Sequence, residues 1–299
     1  MLDRVKIIVN PASGRGRALK LAEEVAGLLR GQGCAVDLQQ TTAIGDARRL
    51  ARESEDCGAV AATGGDGTVN EVLNGLPLGA QAPALAMLPS GTANVLAKEL
   101  KLPQKPAELA GVIREGKASL WDLGVDRSGG RRFLLFASAG YDAHVVHLFH
   151  AERRGPIHMW QYLYWGMKSV FDYEAPRITV EIDGGPPEEA AWVLVSQVPT
   201  YGGPLVFTPD ARPGRGTFEV MIQRGRGRWD LVGMFWSAFL AHLFGRRCRR
   251  DDVRYVAARR VRLSSADGKP VPVQMDGDPG GHLPAEWEIV PGGVRVVTP

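Results

Sequence analysis

The sequence predicts an N-terminal α/β domain built on a parallel sheet, followed by a C-terminal antiparallel β-sandwich. Three observations lead there. Apolar strand-like runs alternate with helix-period stretches through the first 120 residues, the pattern of parallel strands with helices on both faces. Beyond Trp121 short strand-like runs dominate, separated by Gly, Pro and Asp turns, as in a sandwich. Finally, three loops rich in Gly, Ser, Thr and Asn, at residues 10–17, 64–68 and 89–94, each leave an apolar strand. The expected domains are 1–121 and 122–299, with the extreme C-terminus free to pack back on the first.

In the first domain, strands are expected at residues 5–9, 35–39, 59–62 and 84–88, and helices at 18–30 and 46–54. Leu21, Val25, Leu28 and Leu29 give the first helix an apolar face. In the second domain the expected strands are 133–136, 178–182, 192–196, 218–222, 261–263 and 271–275.

The 36 basic and 33 acidic residues leave a net charge of +3, too close to balance to argue by itself for nucleic acid, and no nucleic-acid partner is expected. Cys34, Cys57 and Cys248 are scattered without CxxC spacing, against a disulfide framework or a zinc site. The N-terminus carries charges where a secretion signal has an apolar core. No apolar run reaches the ~18 residues that span a bilayer. The expected location is cytoplasmic, with peripheral contact on the inner membrane face left open, as is a homodimer.

The stretch Thr63-Gly64-Gly65-Asp66-Gly67-Thr68-Val69-Asn70-Glu71-Val72 reads as strand, glycine turn, helix. That arrangement presents backbone N–H groups and a helix N-terminus to phosphate. Asp66 repels bare phosphate, so the motif fits a Mg²⁺-bound nucleotide better. In a parallel sheet all three loops emerge at one edge. Arg15 and Arg17 stand where they neutralise phosphate or begin a solvated helix.

Asn-Pro-x-Ser-Gly at residue 10, Gly-Gly-Asp-Gly-Thr-x-Asn-Glu-Val at 64 and Pro-x-Gly-Thr-x-Asn at 89 resemble the diacylglycerol kinase and sphingosine kinase catalytic family, in its small bacterial branch. Ala139-Gly140-Tyr141-Asp142, Pro209-Asp210-Ala211 and Val273-Gln274-Met275-Asp276-Gly277-Asp278 extend the resemblance over nearly the whole chain. It implies an ATP- and Mg²⁺-dependent kinase with a lipid acceptor. It places ATP against Asn10, Pro11, Ala12, Ser13, Gly14, Thr41, Gly64, Gly65, Asp66, Gly67, Thr68, Val69, Asn70, Glu71 and Thr92. It implies that Asp66 holds the Mg²⁺–phosphate system through water, with Asp122 supporting that network. Asp278, where the family usually has Glu, matches the general base; Asp66 is the rival.

Arg215 stands where relatives often have an acid of a structural Mg²⁺ turn, and a guanidinium cannot ligate a cation, so that site is expected to be missing. His144, His147 and His150 follow at helical spacing, without Cys or Glu to complete a metal set. Residues 155–171 and 231–244 are rich in apolar and aromatic side chains, the latter followed by Arg246, Arg247, Arg249 and Arg250. A docking segment for an anionic leaflet and a core helix with a basic end both fit. Two rival functions remain: NAD kinase, which shares Gly-Gly-Asp-Gly, and a lipid- or nucleotide-binding protein that has lost turnover.

Overall fold

The computed structural model describes residues 3–79, 81–152, 166, 168–170, 172–201, 205–245 and 250–299. Two compact units emerge: residues 1–123 with 292–299, and residues 124–291.

In the first unit the chain runs through β1 (Arg4–Val9), α1 (Arg17–Gly31), β2 (Ala35–Gln40), α2 (Asp46–Arg52), β3 (Ala59–Gly64), α3 (Asp66–Gly75) and β4 (Ala84–Pro89). Helices α4 (Val95–Glu99) and α5 (Pro106–Glu115) follow, then β5 (Ala118–Asp126), which runs into the second unit. The sheet order is β2-β1-β3-β4, all parallel. The last strand, β18 (Ala285–Val297), adds its end beside β4 in parallel, Val296 opposite Leu85. Every residue of β3 is buried, as expected for a strand covered on both faces.

The first helix differs in detail from expectation. Its fully inward face is Ala18, Ala22, Val25, Ala26 and Leu29, while Leu21 and Leu28 sit at the margin. Alanines lie innermost because a short side chain lets the helix axis approach the sheet closely. Glycine does the same between α2 and α3: a Cβ on Gly75 would clash with the Arg48 carbonyl and Ala51.

The second unit is an antiparallel sandwich. One layer has the order β14-β13-β10-β7-β16-β17, from Val253–Ala258, Phe218–Gln223, Trp192–Ser196, Phe136–Ala139, Pro272–Met275 and Asp278–His282. The other joins the first part of β18 to β15 (Arg260–Ser265), β8 (Ile178–Ile182) and β9 (Glu188–Ala190), with β5 pairing β18 and β6 (Arg132–Phe133). Phe133, Val193, Val220, Val261, Val273 and Trp287 belong to the core between them. Phe133 stacks on Phe218 at 5.7 Å and meets Trp287 edge-on at 6.3 Å. Gly124 opposes Phe133 across the β5–β6 pair, and a Cβ there would run into the ring.

Beside the sandwich lie α6 (Tyr141–Glu152), a short β11–β12 hairpin (Thr200–Tyr201, Leu205–Val206) and α7 (Arg228–Phe244). The expected strand at 133–136 is two strands, β6 and β7, because Leu134, Leu135 and Phe136 turn their N–H groups onto the Asp276 carboxylate, at 2.7, 2.9 and 3.0 Å. The second helix ends at Arg52, two residues before the expected limit, and Ser54 caps back onto the Ala51 carbonyl. The aromatic stretch 155–171 lies largely outside the described residues, as do Arg246, Arg247, Cys248 and Arg249 and the side chain of Arg15.

A second buried acid organises the sandwich edge. Asp142 Oδ2 accepts from Ser138 Oγ at 2.6 Å, Tyr201 OH at 2.8 Å and Gln274 Nε2 at 3.3 Å. Burial pushes its carboxyl well above the usual carboxylate range, against the pull of those donors. An acid raised on folding binds a proton that the unfolded chain releases, so its contribution falls as pH rises from the ordinary value of 3.8. Asp142→Asn should therefore gain stability relative to the parent as pH rises, the advantage vanishing below that value. Urea midpoints across the acid-to-neutral range check it; a constant difference would mean that the carboxyl is not raised.

Candidate functional site

The three glycine-rich loops of the first unit interlock at the carboxyl ends of β1, β3 and β4. After β1, Asn10 donates its N–H to Thr63 O at 3.0 Å, and its side-chain Oδ1 accepts from Ala12 N at 3.1 Å. Ser13–Gly16 then forms one tight 3-10 turn leading into α1. Gly14 has a φ of +59°, and a Cβ there would collide with the Ser90 carbonyl. Ser90 Oγ lies 3.3 Å from Ser13 Oγ. After β3, the Gly64 carbonyl accepts the N–H groups of Ser90 at 3.1 Å and Gly91 at 3.2 Å. A Cβ on Gly91 would stand 2.5 Å from Gly65 Cα, and one on Gly64 would strike the Thr68 side chain. Glycine is required at Gly14 and Gly91 because backbone meets backbone, and at Gly64 because the Thr68 side chain fills the space.

Asp66 opens α3, whose N-terminus has no side-chain cap. Such an end carries unpaired N–H groups and partial positive charge. The Asp66 carboxylate turns the other way, toward the start of α4, where Leu96 N approaches Oδ1 at 3.4 Å. Desolvation by the surrounding chain pushes its carboxyl above the usual carboxylate range, opposed by the Val95 and Leu96 amides. Thr68, Val69 and Asn70 are buried on the inner side of α3, and Glu71 holds the next loop by accepting Gly45 N at 3.1 Å. Thr41 is tied to β1 through its N–H to Val9 O at 2.9 Å. Pro11 is half-buried and Thr92 exposed. Asn94, at φ +45°, donates to Gly91 O at 2.8 Å, while its Oδ1 and the hydroxyl of Thr63 are buried without a hydrogen-bond partner.

Asp122 is buried on β5 and accepts Gly292 N at 2.9 Å. It anchors the returning end of β18 to the first unit.

In the second unit Asp278 begins β17 rather than lying in a loop. It faces the Arg131 guanidinium at 3.2 Å and His150 Nε2 at 3.8 Å. Arg131 also donates to the Pro279 carbonyl at 2.8 Å, fixing its own position. Neither partner was legible from sequence, because Arg131, just before β6, and His150, on α6, are far from Asp278 along the chain and meet it only through tertiary packing. The neighbouring acid, Asp276, is an anchor for three backbone amides. Arg215 donates to the Asp210 carbonyl at 3.0 Å.

His144, His147 and His150 do share α6, and burial lowers the pKa of the first two. His147 bonds the Val273 carbonyl at 2.9 Å and lies 5.5 Å from the His282 ring. Among the described residues no three His, Cys, Asp or Glu are placed to hold a metal ion. A resident metal does not fit the loops. A divalent ion that brings phosphate oxygens as most of its ligands does fit, since one carboxylate and a set of backbone donors suffice.

Fold and loops thus define a class: an α/β unit with a phosphate-type loop crest, joined to an antiparallel sandwich. Two family models match this chain, the diacylglycerol kinase catalytic domain over residues 4–125 and the YegS C-terminal NAD kinase beta sandwich-like domain over residues 136–298. The chain belongs to the diacylglycerol kinase-like lipid kinase family that these two domains define. Among similar proteins is the diacylglycerol kinase of Bacillus subtilis (strain 168), 27% identical over 302 residues, covering 100% of this chain and 97% of that one. That of Staphylococcus carnosus (strain TM300) is also 27% identical, covering 100% and 96%. A solved chain from Bacillus anthracis str. Sterne superposes with a TM-score of 0.80 at 23% identity, covering 100% of this chain and 98% of its own. A diacylglycerol kinase structure from the same organism gives 0.74 at 23% identity, covering 100% and 97%. At that identity the likeness speaks for the fold.

Gly14 and Gly16 allow the interlock to be measured. Both have positive φ, but a Cβ on Gly16 meets nothing within 4 Å. Gly16→Ala should cost about 1–2 kcal/mol from the left-handed conformation alone. Gly14→Ala should add about 1–3 kcal/mol of overpacking against Ser90. Equal urea midpoints for the two variants would mean that the loops do not depend on this contact.

Proposed function

We propose that this chain transfers the γ-phosphoryl group of Mg²⁺-bound ATP to the hydroxyl of a diacylglycerol-like lipid. The observation that carries this reading is the glycine interlock beside the uncapped start of α3, in a chain of the diacylglycerol kinase-like family. Asn10 to Gly14, Thr41, Gly64 to Glu71 and Thr92 would line the nucleotide, mainly through backbone donors. A magnesium ion held by Asp66 and the nucleotide's own phosphates would supply neutralisation of the phosphate charge. Asp66 would turn from the α4 amides to that ion, directly or through water, and Asp122 would support the same region. A carboxyl held high by desolvation gains most from a cation, which replaces the lost solvation.

Asp278 would accept the acceptor hydroxyl's proton. The lipid oxygen then forms its bond to the γ-phosphorus as the bond to the bridging oxygen breaks, and ADP leaves. Arg131 would hold the carboxylate in place. One observation favours a second reading, a relative that binds but does not turn over. Asp278 is one methylene shorter than the family's Glu, and its carboxylate is already occupied by Arg131 at 3.2 Å.

Transfer of label from γ-labelled ATP to a panel of lipids tests the proposal. Asp66→Asn should abolish transfer while leaving the thermal transition close to the parent's. Retained activity within about tenfold would remove Asp66 from the centre of the reading.

Asp278→Asn should lower kcat on the order of 10²–10⁴ and leave nucleotide affinity nearly unchanged. Asp278→Glu should retain or raise activity. A parent that binds ATP yet transfers nothing, beside an active Glu variant, would establish the disabled relative instead.

A further inference from the structure

Helix α7 is apolar on two opposite faces, and only one is covered. Leu231, Met234, Ala238 and Ala241 are buried. Phe235 packs among Tyr141, Trp192 and Phe207, with ring separations of 5.6, 5.9 and 5.7 Å. On the outer side Trp229 (75% exposed), Val232 (42%), Trp236 (61%), Phe239 (37%) and Leu243 (57%) face solvent. Their spacing of three, four, three and four makes one continuous stripe. At 1.5 Å per residue it is about 21 Å long. Trp236 and Phe239 pack side by side at 5.9 Å. Isolated exposed apolar residues are ordinary, but a contiguous aromatic ridge marks a contact surface.

We propose that this stripe docks on an anionic lipid surface, with α7 lying in the plane of the interface. Charge selects that occupant. The segment from residue 224 to 250 holds seven arginines, at 224, 226, 228, 246, 247, 249 and 250, against one acid, Asp230. In the described part, Arg224 is paired with Glu188 and Arg250 with Asp252. Arg226 and Arg228, both exposed, lie at the head of the stripe. Exposed arginines at the head of an aromatic ridge complement anionic headgroups. A second copy of the chain fits poorly. Two paired stripes would bring together segments that carry the same sign of charge. The helix has 17 residues and no described helix is long and apolar enough to cross a membrane, so α7 would lie on a bilayer rather than span it. Tryptophan suits this position, having a large apolar ring and an N–H for the headgroup layer. The inference extends the proposed lipid-kinase reading by naming the surface that brings the enzyme to its substrate.

The test is co-sedimentation of the full chain with vesicles of phosphatidylcholine alone and of phosphatidylcholine mixed with phosphatidylglycerol. The parent should bind the anionic vesicles preferentially, lose that binding at high salt, and show a blue shift in tryptophan emission when bound. The double variant Trp229→Ser, Trp236→Ser should bind at least tenfold more weakly with an unchanged melting temperature. Arg226→Gln with Arg228→Gln should weaken binding to anionic vesicles only. Equal vesicle binding by the parent and the serine variant overturns the proposal. So does a serine variant that becomes monomeric from a dimeric parent without any change in vesicle binding, since a second copy then covers the stripe. A sharp fall in its melting temperature also overturns it, because the stripe would then be packed under the chain's own residues. Phosphoryl transfer to a water-soluble short-chain diacylglycerol separates the two readings. Under both, the serine variant retains it and loses only transfer on vesicles. Stripe-dependent vesicle binding without transfer to any acceptor would leave the docking surface standing and remove the kinase.

Discussion

The first unit depends on backbone touching backbone at the crest of its sheet. Gly14 lies against the Ser90 carbonyl, Gly91 against Gly65, and Gly64 against the side chain of Thr68. These contacts join three loops that leave adjacent parallel strands, β1, β3 and β4. A side chain at Gly14 or Gly91 would force two loops apart, because the nearest opposing atoms are main chain. The interlock holds the main chain close and directs the start of α3 into the same region. That geometry suits a ligand recognised by N–H groups rather than by charged side chains.

Carboxylates divide by environment. Asp276 and Asp142 are buried in the second unit, and each gathers several donors: three consecutive amides for one, a serine, a tyrosine and a glutamine for the other. They hold the sandwich edge where β6 breaks from β7 and where α6 begins. Asp278 is partly exposed and meets the Arg131 guanidinium and the His150 ring. Asp66 lies between these extremes. It is desolvated, and its opposing partners are backbone amides, those of Val95 and Leu96 at the start of α4 and its own. The physical distinction is therefore how completely a carboxylate's oxygens are already satisfied.

Helix α7 illustrates a different division. Its inner face completes an aromatic cluster with Tyr141, Trp192 and Phe207, while its outer face repeats the same residue types without a covering layer. Burial of the inner face sets the helix in place. The outer face therefore does not have to contribute to folding, and is free to serve a contact.

Much of this was written locally in the sequence. The alternation of apolar runs and helix-period stretches determined the α/β first part, and short runs between turns determined the sandwich, because both are repeats of side-chain burial along the chain. The loops at residues 10, 64 and 89 were legible for the same reason, since glycine, serine and asparagine announce turn geometry. Other features had no local signal. That alanines rather than Leu21 and Leu28 face inward on α1 depends on how near the helix axis comes to the sheet. That Asp276 anchors residues 134–136, that Arg131 and His150 face Asp278, and that β18 ends beside β4 all join residues more than a hundred positions apart. The apolar residues of α7 were visible in sequence, but not which of them the sandwich would cover. Local chemistry determined which segments fold and turn; only tertiary packing decided which groups meet, because that is set by strand register and helix placement, which no single segment encodes.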